Sequence, residues 1–123
     1  MSRATISILV MVLLCAAGAK AQDQSKPLTE TQKIEALIRH VEELKDATFI
    51  RNGREHTPAD AARHMRDKWQ WKKSEIKTAD DFVNIAASKS SVSGKPYMIR
   101  FRGGKEVKSA DYLREQLKNL QES

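Results

Sequence analysis

A single cysteine, Cys15, stands among the 123 residues. It falls in an N-terminal segment that the sequence marks for removal, so the mature chain would carry none. That excludes a disulfide, although an exported protein's compartment would permit one. It also excludes a cysteine-based zinc site, a redox pair and a thiol nucleophile. Long apolar runs are missing too. The stretch from Ile6 to Leu14 is almost wholly apolar, well short of the roughly 20 residues that a spanning helix needs. No glycine stands five residues before Gly94, and Pro96, not Ser or Thr, follows Lys95, so the nucleotide-binding phosphate loop is absent. No Gly-x-Ser-x-Gly elbow occurs either.

What is present at the N-terminus has a definite order. Arg3 supplies a positive charge, the apolar stretch follows, and Ala19-Lys20-Ala21 puts small residues three and one positions before a cut. That order reads as a secretory signal peptide over residues 1–21, cleaved after Ala21. A lipid-anchored start at Cys15 would want a small residue before it, and Leu14 stands there. The expected product is a soluble periplasmic or secreted protein beginning at Gln22, with no transmembrane segment after cleavage. Loss of Arg3 and Lys20 leaves 20 basic residues against 16 acidic ones, a net charge of +4. A modest positive balance permits an anionic partner without requiring one. The compartment points to an anionic envelope component or an acidic envelope protein and away from nucleic acid.

Residues 22–28 read as a loose tail and 29–123 as one α+β domain. Ile34, Leu37, Ile38, Val41 and Leu44 form an apolar stripe of helical period, with Thr29 and Gln32 as a capping box ahead of it. Thr48 to Arg51 is β-branched and aromatic, and Asn52-Gly53 suits a type I′ hairpin turn back through Arg54 to His56. Thr57-Pro58-Ala59-Asp60 starts a second helix, with Ala61, Ala62, Met65 and Trp69 inward. Thr78 starts a third. A serine-rich connection, Ser88 to Gly94, leads to an alternating strand from Tyr97 to Arg102. Gly103-Gly104 turns the chain, Lys105 to Val107 returns, and Ser109 is expected to cap a last helix carrying Tyr112, Leu113, Leu117 and Leu120 inward.

A repeat emerges from this layout. Gly53-Arg54-Glu55 leads to Ala59-Asp60 and Arg63, and Gly104-Lys105-Glu106 leads to Ala110-Asp111 and Arg114, each shifted by 51. Ile50-Arg51 matches Ile99-Arg100, which makes the second hairpin two residues longer. Turn and cap positions draw on a small alphabet, so coincidence stands beside duplication as an explanation. Either way the expected fold is two helix–hairpin–helix units sharing a small antiparallel sheet, with helices on one face.

Phe49-Ile50-Arg51-Asn52-Gly53, Ala62, His64, Arg66, Lys68-Trp69, Ile76, Thr78-Ala79, Phe82, Ala87-Ser88, Ser90-Ser91 and Ser93-Gly94-Lys95-Pro96-Tyr97 together resemble the YfeK-like family. Those are small exported bacterial proteins whose domain has no assigned function. The resemblance covers roughly residues 34–117. It implies a bacterial, periplasmic, single-domain protein, and brings with it no catalytic residue and no cofactor.

Several residue groups carry chemistry on paper. Ser93-Gly94-Lys95 could cradle an anion, or be a small-residue loop delivering the next strand. His56, Asp60 and His64 could meet where hairpin joins helix, although a metal would want a further ligand. Otherwise Asp60 is an acid at a helix N-terminus with His64 one turn later. Ser91 or Ser93 with a histidine such as His64 is the hydrolase alternative. Trp71 points away from the face of Trp69, which makes it either a cover for the next helix junction or a stacking residue. The favoured set is basic. Arg100 and Arg102 must face away from Tyr97, Ile99 and Phe101, and the repeat puts Arg51 on the same sheet face, with Arg54 and Lys105 at the rim. These five are the expected anion-binding residues, with His64, Ser91, Ser93, Lys95 and Trp71 as secondary candidates. The bland alternative is an open sheet face that is merely charged.

Overall fold

The structure, a computed structural model, describes residues 26–122. The expected signal peptide, residues 1–21, lies outside them, as do residues 22–25 of the expected tail. Helix α1 (Glu30–Glu42) opens on the capping box, in which Thr29 Oγ1 accepts from the Gln32 amide and Gln32 Oε1 accepts from the Thr29 amide. Strands β1 (Thr48–Arg51) and β2 (Arg54–His56) form a hairpin. Its two turn residues, Asn52 at φ 54° and Gly53 at φ 77°, take the left-handed backbone that a type I′ turn demands. Thr57 caps α2 (Pro58–Trp71), and Pro58 holds the first helical position, where its missing N–H costs nothing. Helix α3 (Ala79–Ala86) has a capping box of its own, Thr78 with Asp81. Strands β3 (Met98–Arg100) and β4 (Glu106–Lys108) follow, then α4 (Ser109–Glu122).

Over the described residues the fold is α+β, with four helices and one four-stranded antiparallel open sheet of order β2-β1-β3-β4. Both edge strands, β2 and β4, are three residues long. Ile34, Leu37, Ile38 and Val41 of α1, Phe82 and Val83 of α3 and Leu113 of α4 are all 2% exposed or less, and they gather in one core with Phe49 and Ile99 of the sheet. Contacts outside the apolar set tie the helices together. Glu30 Oε1 accepts from the Ala79 amide at 2.8 Å, which draws the start of α1 onto the start of α3. Arg66 of α2 reaches Glu35 of α1 at 2.6 Å. No described helix is long and apolar enough to cross a membrane.

The register of the central strands overturns part of the repeat alignment. Phe49 pairs with Ile99, and Ile50 with Met98. Directly opposed residues share a face, and alternate residues of a strand share one too. Phe49, Arg51, Arg54, His56, Tyr97, Ile99 and Val107 therefore lie on the core face, while Thr48, Ile50, Glu55, Met98, Arg100 and Glu106 lie on the other. Ile50 is half-buried where Ile99 is fully buried, and Arg51 and Arg100 project from opposite faces. In the second hairpin the Phe101 amide donates to the Lys105 carbonyl at 2.8 Å, so three residues turn the chain where Asn52-Gly53 need two. The second hairpin is one residue longer, not two. A one-residue slip sends every side chain to the other face, and the place equivalent to Arg51 is held by Phe101. Asp60 and Asp111 do occupy the first turns of their helices, each paired with the arginine three residues on.

Ser109 does not act as expected. It is the first residue of α4, its amide donates to the Tyr97 carbonyl, and its hydroxyl is buried with no hydrogen-bond partner among the described residues. The β3–β4 ladder runs on into the helix start and makes Ser109 part of the helix, one place past the cap.

Candidate functional site

Where β1 ends against α2, the sequence sets basic and polar side chains on the core face of the sheet. Arg51 sits there because Phe49, two residues earlier, must be inward. His64 sits there because it precedes the buried Met65 by one residue and follows Ala61 by three, which keeps it at the margin of the inner face of α2. Arg51 NH1 lies 3.2 Å from both ring nitrogens of His64. His64 Nε2 lies 3.3 Å from the Tyr97 hydroxyl, and the two rings meet edge-on. Lys68, one turn further along α2, is only 4% exposed. Its ammonium donates to the Tyr97 hydroxyl at 3.1 Å and to the Lys89 carbonyl at 3.0 Å.

No carboxylate touches Arg51, His64 or Lys68 among the described residues. Burial pushes the Lys68 ammonium below the ordinary lysine value, and the charges of Lys72 and Arg51 push the same way. Burial also holds His64 below the ordinary histidine value, reinforced by Arg51 and Lys68. The Tyr97 phenol is raised by burial, with Arg51 opposing. A buried lysine almost always has a compensating partner; here, among the described residues, its partners are neutral, the two oxygens and the face of the Tyr97 ring, whose centroid lies 5.1 Å away.

Two spaces open beside this cluster. The inner one is a cavity of about 40 Å³ whose lining includes Phe49, Ala61, Met65 and Tyr97, with Arg51 and His56. The outer one is a hollow of about 380 Å³ lined by Arg51, Asn52, Arg54 and His56, with no acidic residue. Both share Arg51 and His56. Arg51 and Arg54 stand directly opposite each other across the hairpin, an arrangement that destabilises a strand pair when both charges have the same sign. His56 Nε2 is buried without a hydrogen-bond partner among the described residues.

The expected open-face patch is not assembled as one surface. Arg100 is on the open face and is matched to Glu55 at 2.5 Å and Glu106 at 3.7 Å, and the Glu55 hydrogen bond and charge hold its proton still more firmly. Arg102 is paired with Asp46 at 3.0 Å. Lys105 is exposed near the second turn. Arg51 stands on the other face with Arg54 beside it. The physical reason is the register: the one-residue slip misplaced Arg51 relative to Arg100, while Arg102 lies beyond β3, in the turn.

The secondary candidates divide. His64 is in the cluster. Ser91 and Lys95 are exposed on the serine-rich loop. Ser93 Oγ donates to Asn52 Oδ1, and the buried Ser90 Oγ accepts from Asn52 and from the Val92 and Ser93 amides. This network pins the loop to the β1–β2 turn. None of these serines bonds a histidine among the described residues. Trp71 is 74% exposed, so it does not cover the next helix junction. His56, Asp60 and His64 all line the inner cavity, but the Asp60 carboxylate is engaged by Arg63. Among the described residues no group of three or more His, Cys, Asp or Glu could hold a metal ion.

Lys68 was absent from the residues singled out for chemistry in the sequence, although a signal for it exists. Ala61, Ala62, Met65, Lys68 and Trp69 fall at i, i+1, i+4, i+7 and i+8, so Lys68 lies on the buried stripe of its helix.

Comparison with known proteins gives a consistent result. A family model described as a family of unknown function, DUF5329, matches residues 28–121. A protein printed as "Uncharacterized protein YfeK", from Salmonella typhimurium, is 40% identical over 68 residues, which cover 55% of this chain and 57% of that relative. The match thus spans little more than half the length of the relative. No solved structure matches the chain significantly.

Proposed function

The chain belongs to the DUF5329 family, of unknown function and YfeK-like, and from that premise, which supplies no activity, we propose that it is an exported binding module whose ligand is a small anion held at the Arg51–Arg54 corner. One observation carries this: two arginines face each other directly across a hairpin, on a hollow without an acidic residue. Their mutual repulsion is relieved by a negative charge placed between them. Arginine forks suit carboxylate and phosphate, and His56 and Asn52 add hydrogen-bonding capacity beside them. Export rests on the ordered charge, apolar stretch and Ala-x-Ala site of residues 1–21. A duplication of the hairpin–helix unit fits the same reading, with one copy keeping an apolar residue, Phe101, where the other gained Arg51.

Titration of the purified protein with phosphate and with acetate, followed by the histidine ring resonances, tests the proposal. Binding should weaken as salt is raised, since the Debye length falls from about 10 Å at 0.1 M to 3 Å at 1 M. Arg51→Gln and Arg54→Gln should each abolish it, while Arg100→Gln should leave it unchanged. Equal loss with Arg100→Gln would return the site to the open face, and no binding of either anion would overturn the reading. The serine-loop hydrolase has no comparable support: Ser90 and Ser93 are engaged in holding the loop, and no serine of it bonds a histidine among the described residues.

A further inference from the structure

Among anions the two spaces are not neutral in their preference. The outer hollow is cationic, whereas the inner cavity, which shares Arg51 and His56 with it, is walled mainly by Phe49, Ala61, Met65 and the Tyr97 ring. Resting on the anion reading of this corner, we propose that the ligand is a short-chain carboxylate of two or three carbons, its carboxylate held by Arg51 and Arg54 and its alkyl end in the inner cavity. A carboxylate has two oxygens to satisfy. One takes the Arg51 fork, which His64 already steadies at 3.2 Å. The other meets Arg54, which is exposed, faces Arg51 directly across the hairpin and lines the same hollow.

Size sets the limit on the tail. A cavity of about 40 Å³ exceeds the roughly 10–15 Å³ that a single water requires, and so admits a methyl or ethyl group but not an extended chain. Polar solvent is poorly served there, because a water wants two to four polar partners, and most of these walls offer none. Asp60, also in the lining, would repel an anion were it free; its ion pair with Arg63 removes that objection. Phosphate satisfies the arginines equally well but sends a polar oxygen, not carbon, toward the apolar wall.

The test is a homologous series. Formate, acetate, propionate and hexanoate, with inorganic phosphate alongside, are titrated into the protein by calorimetry or by histidine ring shifts. Each buried methylene is worth roughly four-fold in affinity. Propionate should therefore bind on the order of ten-fold tighter than formate, and hexanoate should lose that gain. Ala61→Val, which shrinks the cavity, should remove the tail dependence. Met65→Ala, which enlarges it, should move the optimum to a longer chain. Affinity that is flat from formate to propionate, or phosphate binding tighter than propionate, overturns the carboxylate assignment while leaving the anion site standing. Failure of every anion to bind overturns both.

Discussion

Phe49 stands directly across from Ile99 in the central strand pair, and the two are 4% and 0% exposed. That single pairing decides which side of the sheet every other strand residue takes. It carries Arg51 inward to His64 and leaves Arg100 outside between Glu55 and Glu106.

Truncating the buried member of the pair should be expensive. Ile99→Ala is expected to cost on the order of 3 kcal/mol, from lost burial and the cavity left behind. Met98→Ala, one residue away on the half-buried face, should cost clearly less. Urea unfolding of both variants checks the assignment, and equal losses would contradict the register.

Arg54→Glu should make the protein more stable and less functional. An opposite charge facing Arg51 replaces a like-charged pair, a gain of about 0.5–1 kcal/mol, and it fills the hollow with the protein's own carboxylate. Denaturant midpoints should rise while acetate binding disappears. A fall in stability would mean that Arg54 is held by something other than its position opposite Arg51.

Lys68 should leave a mark on the alkaline side. Its folded value lies below the ordinary 10.5, so between the two the unfolded chain binds more protons, and stability contributed at this site rises with pH. Tyr97, raised above the ordinary 10.0, acts in the opposite sense only near and above that value. The stability difference between the native protein and Lys68→Met should therefore shift in favour of the native protein as pH rises through the interval just below the ordinary lysine value of 10.5. Parallel curves would show that the ammonium is as well solvated as a surface lysine.

Export makes a simpler prediction. N-terminal sequencing of the protein recovered outside the cytoplasm should begin at Gln22, because Ala19 and Ala21 meet the small-residue requirement for cleavage. A lipid-modified Cys15 would contradict the soluble module.

The elements were legible because their punctuation is local. Thr29, Thr57 and Thr78 announce three helix starts through hydrogen bonds that reach only three residues, and Asn52-Gly53 dictates a turn through backbone sterics alone. The relative faces of Arg51 and Arg100 were not legible in this way. They depend on a register between strands 50 residues apart, and on one extra residue in the second turn, which no short-range pattern records. Lys68 falls between these cases. Its helical spacing marks it as buried, but a lysine on an apolar stripe is ordinarily discounted because its stem can carry the charge out to solvent. Only the fold shows that Tyr97 and the Lys89 carbonyl keep it inside.

The sheet's outer strands have a consequence for how the molecule behaves in company. Each offers an incoming chain a ladder of only three residues, and each displays charge along it, Arg54 and Glu55 on one side, Glu106 and Lys108 on the other. An exposed strand edge is a template for aggregation unless it is kept short or charged, and here both safeguards operate at both margins. A chain refolding among crowded copies of itself meets little there that would let one copy zip onto the next.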